Sequence, residues 1–413
     1  MTQSLRLYTS PKMLAVLLLG FSSGLPLALT GGTLQAWMTD EKVDVKIIGA
    51  LSLIGLPYTW KFLWSPLMDR FVPPFLGRRR GWIVICQLFL AVVIAALAFT
   101  SPANTPLLFG LLALGIAFLS ASQDIVIDAY RTDLLSASER GPGAGLGILG
   151  YRVAMLTSGA LALILSDHLP WKDVYLIMAA LIGGLSIYTF FAPEGRETSV
   201  RPKTLQDAVV EPFLNFFNRP NSWDVPVFVI LYKLGDVMAV ALTTKFMLDV
   251  GFSKSDIGYV AKGLGLICSI SGSLLGGTAV SAWGLRRSLF LFGVFQGVSV
   301  LCFAALSISG KNYGMMSAAI GLENFCNGLG NAALVSFLMA LCDRRFTATQ
   351  YSLLSGIQSF ARTAIAASTG YIVAAIGWTE FFIFCAALAT PGLVQLMLRF
   401  EKWEKGAFPD PAL

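Results

Sequence analysis

The stretch "SASQDIVIDAYRTD" (120–133) brings Asp124, Asp128, Arg131 and Asp133 together directly after a hydrocarbon run, "LLFGLLALGIAFL" (107–119). Ionisable groups at bilayer depth are costly and tend to be functional. At about 100° per residue, Ala117, Ser120, Asp124, Asp128 and Arg131 share one helical face. The stripe grades from small to polar to charged, which suits a face lining a cavity. A carboxylate buried there can exchange a proton, and Asp128 and Arg131, three apart, can pair as a gate. A rival chemistry is an intramembrane prenyltransferase-like enzyme, in which Asp124 and Asp128, as D-x-x-x-D, would hold Mg²⁺-bound diphosphate. That chemistry needs a second acidic cluster, and the second half has no D-x-x-x-D or D-D-x-x-D. Asp133 falls on the opposite face and is expected at a helix end in water.

Other polar residues also interrupt apolar runs. Glu323, Asn327 and Asn331 recur at i, i+4 and i+8. Asparagine donors and acceptors suit sugar hydroxyls and acetamides, or they hold helices together. Lys233 and Asp236 flank Gly235 and can neutralise each other, or Lys233 can hold a cargo carboxylate. Gln358 and Arg362 share a face and form a second candidate anion site. Arg152 is the expected partner of Asp124. These residues are the candidate binding set, with Asp124 and Glu323 the candidates for proton coupling. His168 is the one histidine and lies in a connector, so it is read as incidental. No catalytic residue, metal ligand set or cofactor site is expected. A Gly-rich phosphate loop ending in Lys-Ser/Thr is absent, which argues against ATP drive.

The elements that carry these residues are membrane spans. Hydrophobic residues make up 55% of the 413, charged residues only 13%, and mean hydropathy is +0.70. A soluble domain carries about a quarter charged residues. Spans need about 20 apolar residues each. Twelve segments qualify: 12–38, 47–66, 81–100, 106–132, 140–166, 172–192, 223–248, 255–282, 287–308, 313–341, 348–376 and 378–400. The first is too long for a cleaved signal peptide and is expected to remain as a span. The six cysteines lie in or beside apolar segments without metal or redox spacing, and read as packing residues. Six tryptophans (Trp37, Trp60, Trp64, Trp82, Trp171 and Trp378) fall near expected membrane interfaces.

With both termini cytoplasmic, connectors on that side hold 19 of the 30 basic residues, whereas the other side holds five: Lys42, Lys46, Lys172, Lys254 and Lys311. This bias predicts an N-in, C-in topology. It also accounts for the pI of about 9.0 without nucleic acid. No obligate protein partner is evident; membrane lipid is an expected neighbour. The polar connector 193–222 divides the chain into 1–192 and 223–413, each with six spans. "SASE" (136–139) and "TATQ" (347–350) read as capping boxes at an offset of 211 residues. Gly159 and Gly370 repeat at that offset. Arg152 and Arg362, and "VKIIG" (45–49) and "KSDIG" (254–258), repeat near it. The pattern indicates two pseudo-symmetric halves of an all-α membrane protein. Such halves suit a secondary transporter that rocks around a central site.

The connector "SPLMDRFVPPFLGRRRGW" (65–82) resembles the signature loop of the major facilitator superfamily through Asp69, Arg70, Gly77, Arg78 and Arg79. The insertion "FVPPFL" lengthens it. A carboxylate such as Asp69 can pair with a helix N-terminus or an arginine when that end closes. Asp69, Arg70, Arg78, Asp128 and Arg131 are therefore candidate gate residues. The matching loop, "GGTAVSAWGLRRSL" (276–289), keeps Gly284, Arg286 and Arg287 but has lost the acid. A closer resemblance is to the AmpG family of muropeptide permeases. It is carried by "GFSSGLPLALTGGTLQAWM" (20–38), "KFLWSPLMDR" (61–70), "SASQDIVIDAYRTD" (120–133), "LGYRVAML" (149–156) and "LYKLGDVMA" (231–239). It implies proton-coupled import of anhydromuropeptides across the bacterial inner membrane, in cell-wall recycling and hence β-lactamase induction. Well-known members are longer, with extra C-terminal spans, and related permeases of this length include siderophore importers.

Overall fold

The computed structural model describes residues 9–43, 54–194, 207, 209–406 and 408. Among them the regular structure is helical. The helices used below are α1 (Pro11–Leu29), α2 (Ser65–Arg70), α3 (Gly77–Ala98), α4 (Pro106–Leu134), α5 (Ala137–Leu156) and α6 (Trp171–Phe191). They continue with α7 (Asp224–Ala241), α8 (Gly265–Trp283), α9 (Leu285–Ser309), α10 (Tyr313–Leu341), α11 (Thr347–Ile376), α12 (Trp378–Ala387) and α13 (Ala389–Gly406). Ten helices in the described residues are long and apolar enough to cross a membrane. The expected segment 47–66 lies partly outside the described residues. Its described end is broken into Leu56–Trp60, a 3₁₀ turn at Lys61–Leu63, and α2. Pro57 and Pro66 each open one of the two helical pieces, where a missing N–H and a fixed φ cost nothing. The expected segment 348–376 is α11, continuous over 30 residues.

Helix starts follow local chemistry. Ser10 accepts from the Met13 N–H ahead of Pro11, and Asn312 accepts from the Met315 N–H at 3.0 Å. Ser253 and Asp256 form a full capping box before Lys254–Tyr259. "VKIIG", its repeat counterpart, lies outside the described residues. At "SASE" half of the box forms: the Glu139 carboxylate accepts from the Ser136 N–H at 2.9 Å. "TATQ" is not a box. Gln350 Oε1 accepts from the Asp343 N–H at 2.7 Å, and the Thr347 hydroxyl faces Arg79. The start of α11 is capped instead by a carboxylate from elsewhere in the chain, described below.

Described residues fall into two compact units. The first comprises Met1–Leu135, Leu146–Pro212 and Asp343–Gly356; the second comprises Ser136–Gly145, Phe213–Cys342 and Ile357–Leu413. In the first, Trp37 packs among Phe109, Tyr175 and Trp171, with centroids 4.9–6.0 Å apart. Trp37 is 2% exposed, so it is a core residue and not the interface belt its position suggested. The α1–α5 contact is backbone to backbone, because any Cβ on Gly150 would collide with the Leu17 carbonyl. The second unit has its own aromatic core of Phe246, Phe303, Trp378 and Phe382. There α8 and α10 approach as closely, and a Cβ on Gly272 would collide with the Phe325 carbonyl. Contacts this close let helices fix one another without a hydrophobic driving force in lipid. The cysteines are all free, and four of the six are buried.

Candidate functional site

The polar residues of the first unit form two groups on α4. The deeper group begins where α1 meets α4. Gln123 Nε2 donates to the Ser22 carbonyl at 2.9 Å, and Gln87 Nε2 from α3 donates to the Ser22 hydroxyl at 2.9 Å. These side chains are fully buried, so their hydrogen bonds pin the register of the three helices. One residue further along each helix, the Ser23 hydroxyl donates to Asp124. The partner of Asp124 is thus Ser23 and not Arg152. The pairing of Ser22 with Gln123 turns that face of α4 towards α1, while Arg152 stays half-buried on α5. One turn on, Asp128 accepts from Arg131 at 2.7 Å and lies 3.6 Å from Lys61 Nζ. Arg131 also donates to the Tyr351 hydroxyl at 3.1 Å. Two acids, Asp124 and Asp128, therefore sit with two bases, Lys61 and Arg131, on adjoining turns.

The second group closes the end of the unit. Asp69 is completely buried. Its Oδ2 accepts from the Thr349 N–H at 2.8 Å and from the Thr349 hydroxyl at 2.7 Å; its Oδ1 accepts from Arg79 at 2.9 Å. The carboxylate caps α11 from outside, meeting the Thr349 N–H, one of the first-turn donors that the helix cannot satisfy itself. Arg79 reaches on to Asp133, its Nε donating at 2.8 Å, and to the Thr347 hydroxyl. Asp133 is 5% exposed, so it does not sit in water as the helical wheel suggested. The face of α4 opposite Asp124 meets the start of α3, and Arg79 supplies the charge that makes burial tolerable. Arg78 donates to the carbonyls of Arg344 and Arg345 at 3.3–3.4 Å, and Arg70 lies over the Phe71 ring at 5.5 Å. The arginine on the Asp69 carboxylate is Arg79, one place beyond the candidate Arg78. The loop motif contained it, but only the folded chain shows which of three consecutive arginines reaches the Asp69 carboxylate.

The second unit carries a chain of hydrogen bonds across α7, α9 and α10. Lys233 Nζ donates to Asp236 Oδ2 at 3.2 Å and to Gln296 Oε1 at 3.0 Å. Asn327 donates to the same Asp236 oxygen at 2.6 Å, and Asn331 donates to Asn327 at 2.5 Å. The mutual neutralisation of Lys233 and Asp236 is thus present, and the asparagine stripe extends it. Glu323 is buried one turn earlier and accepts from Asn324 at 2.9 Å. Gln296 was missed. Its signal was one amide in the apolar run "LFLFGVFQGVSV" (289–300). Gln358 is half-buried and Arg362 exposed, both on α11. No group of three or more His, Cys, Asp or Glu side chains is placed to hold a metal among the described residues.

Ten long apolar helices in the described residues, with paired charges buried among them, are the features of a polytopic membrane protein. Residues 16–235 match the family model of the Major Facilitator Superfamily. The chain is 49% identical over 399 residues to the anhydromuropeptide permease of Escherichia coli (strain K12), covering 96% of this chain and 81% of that protein. It is 32% identical over 411 residues to putative transporter AmpG 4 of Rickettsia felis, covering 96% and 98%. Its fold matches that of the proton:xylose symporter XylE, with a TM-score of 0.71 over 95% of each chain at 10% identity. The chain belongs to the AmpG permeases of the major facilitator superfamily, which makes it a multi-pass bacterial inner-membrane transporter and not an enzyme.

Arg79→Gln is expected to leave Asp69 and Asp133 buried without their shared counter-charge. Loss of one partner from such a network costs about 3–5 kcal/mol. Thermal unfolding of the purified protein should show a lower melting temperature. Adding Asp133→Asn should recover part of that loss, and no recovery would mean that Arg79 and Asp133 are not coupled.

Proposed function

We propose that this protein imports anhydromuropeptides (GlcNAc-anhydroMurNAc, with or without a peptide) into the bacterial cytoplasm. The observation that carries this reading is the 49% identity to an anhydromuropeptide permease along 96% of the chain. Two geometric features agree with it. Lys233 is a cation whose counter-charge, Asp236, is shared with Asn327. An anionic cargo carboxylate can compete for such a lysine, and the amides of Gln296, Asn327 and Asn331 suit acetamido and hydroxyl groups. Lys233, Asp236, Asn327 and Asn331 are therefore the proposed binding residues, with Glu323, Arg152, Gln358 and Arg362 as outlying candidates.

The cycle is alternating access driven by protons. Asp124 is the proposed proton carrier and Glu323 the second candidate. Asp124 shares its neighbourhood with Lys61, Asp128 and Arg131, whose charges act on it. Adding a proton to Asp124 leaves those two bases facing only Asp128, which biases the cluster towards rearrangement. In the N-in, C-in topology the Asp69–Arg79–Thr349 group lies at the cytoplasmic end. There it acts as a lock: the helix N-terminus at Thr347–Thr349 must leave Asp69 before cargo exits. In the proposed division of the chain, 1–192 carries Asp69 and 223–413 carries Thr349, so the lock ties the two halves. Uptake of this cargo would serve cell-wall recycling and, through it, β-lactamase induction.

Inside-out or right-side-out vesicles with a defined proton gradient provide the test. Labelled anhydromuropeptide should accumulate and a ferri-siderophore panel should not; the reverse pattern would overturn the assignment of cargo. A protonophore should stop accumulation, and insensitivity would mark a facilitator. Asp124→Asn should reach the membrane yet lose accumulation, and normal uptake would remove it from the coupling path. Lys233→Ala should weaken uptake of the anionic cargo more than of a neutral analogue, whereas equal losses would make its role structural.

A further inference from the structure

Within the first unit, the two sides of Asp124 along α4 differ in kind. One turn further on stand Asp128, Lys61 and Arg131, all charged and paired. One turn back, on the same face, is Ser120. It is fully buried, and its hydroxyl has no hydrogen-bond partner among the described residues. A second hydroxyl nearby is in the same condition. Tyr58 lies on the Leu56–Trp60 helix, which packs against α4. Its ring is half-buried, but its phenolic oxygen is shut off from solvent and has no hydrogen-bond partner either. Asp124, Ser120, Thr30 and Tyr151 are close enough to act on that oxygen. Thr30 already donates to the Pro26 and Leu27 carbonyls at 3.0 and 3.3 Å, and one Asp124 oxygen already accepts from Ser23. Tyr58 and Ser120 thus bring two unpartnered hydroxyls together beside the carboxylate, where burial without a partner is costly.

Enclosure decides what can join them. A sugar ring does not reach two oxygens shut off from solvent, whereas a buried water commonly serves about three polar groups that the chain leaves unsatisfied. Direction along the chain decides what such a water does. In the proposed N-in, C-in topology α4 runs towards the cytoplasm, so Ser120 is on the outer side of Asp124 and Asp128 on the inner side. Thr30 is also on the outer side, about two turns beyond Ser23. Asp124 is faced from within by Lys61, Asp128 and Arg131, from α1 by the uncharged Ser23, and from the outer side by the phenol of Tyr58, with Tyr151 of α5 beside it. Lys61 and Arg131 repel an incoming proton, and neutral hydroxyls do not. We propose that Tyr58 and Ser120 hold a water against Asp124, and that this water delivers the proton from the outer side. The inference rests on Asp124 as the proton carrier proposed above. In the step, a hydronium ion at that position gives one proton to the Asp124 carboxylate and remains as water. Tyr58 and Ser120 keep their own protons, so both are positioning residues.

The test uses the full-length protein in proteoliposomes, with uptake of labelled anhydromuropeptide under a proton gradient followed against external pH. Wild-type uptake should rise as the medium becomes more acidic. Tyr58→Phe removes only the phenolic oxygen. It should move that rise to a pH about 1 unit lower, where more protons offset a roughly tenfold slower delivery. Ser120→Ala should move it in the same direction. Exchange of labelled for unlabelled cargo without a gradient needs no net proton delivery and should stay at the wild-type rate in both variants. Ser122→Ala removes a neighbouring α4 hydroxyl that accepts from Trp64 at 3.0 Å, and should leave the pH profile in place. An unmoved profile in Tyr58→Phe, loss of exchange along with gradient-driven uptake, or an equal move in Ser122→Ala would each overturn the proposal. Wild-type uptake that ignores the proton gradient would instead remove Asp124 as proton carrier, and this inference with it.

Discussion

A bilayer gives a buried charge no water, so every ionised group inside this protein has to find its partner within the chain. That constraint organises the structure. Arg79 holds Asp69 and Asp133. Lys61 and Arg131 hold Asp128. Lys233 holds Asp236. Each pair is tied further by neutral donors and acceptors: Thr349 on Asp69, Tyr351 on Arg131, Gln296 on Lys233, Asn327 on Asp236. Breaking any one partnership leaves a charge stranded, which costs more than the pair contributes. Such groups are stable only when complete, and so they have a small number of discrete arrangements. A transporter can use that property. In the proposed cycle, cargo or a proton that replaces one partner would shift the whole group to a different arrangement.

The backbone supplies the stiffness that makes these arrangements discrete. Glycine contacts between α1 and α5, and between α8 and α10, put helix backbones directly against each other, so a side chain at these positions would force the helices apart. The π-helical turns at Thr157–Leu161 and Val260–Leu264 are local departures from that regularity in otherwise continuous helical stretches. The break between Leu56–Trp60 and α2 delivers Lys61 to α4 and Asp69 to α11 from neighbouring positions. A straight helix through 56–70 would not have its prolines, and those prolines set where the chain turns.

The positions of the charges were legible in the sequence because lipid leaves so few polar positions unexplained. Asp128 with Arg131, Lys233 with Asp236, and the asparagine stripe on α10 all followed from helical spacing within one element. The role of Asp69 as a carboxylate meeting a helix start followed from its loop. What spacing could not give was partners from other elements. Ser23 for Asp124, Arg79 for Asp133, Gln296 for Lys233 and Tyr351 for Arg131 each join positions at least 54 residues apart. The helical wheel placed Asp133 opposite Asp124 correctly, but "opposite" meant facing α3 and not facing water. "TATQ" misled for a related reason. Its threonine and glutamine fit a local cap, yet the helix start is capped by Asp69 and the two side chains are spent elsewhere. Local rules hold until a tertiary partner of greater charge arrives.

Alternating access as proposed above requires the cap on α11 to open during transport. Ala348 is fully buried beside Asp69, and its N–H points at that carboxylate. A cysteine at position 348, in a protein stripped of its six native cysteines, would report the opening. The measurement is its rate of labelling by a bulky charged thiol reagent from the cytoplasmic face, with and without anhydromuropeptide and a proton gradient. Labelling should be slow at rest and clearly faster when both are present. Equal rates under the two conditions would contradict it.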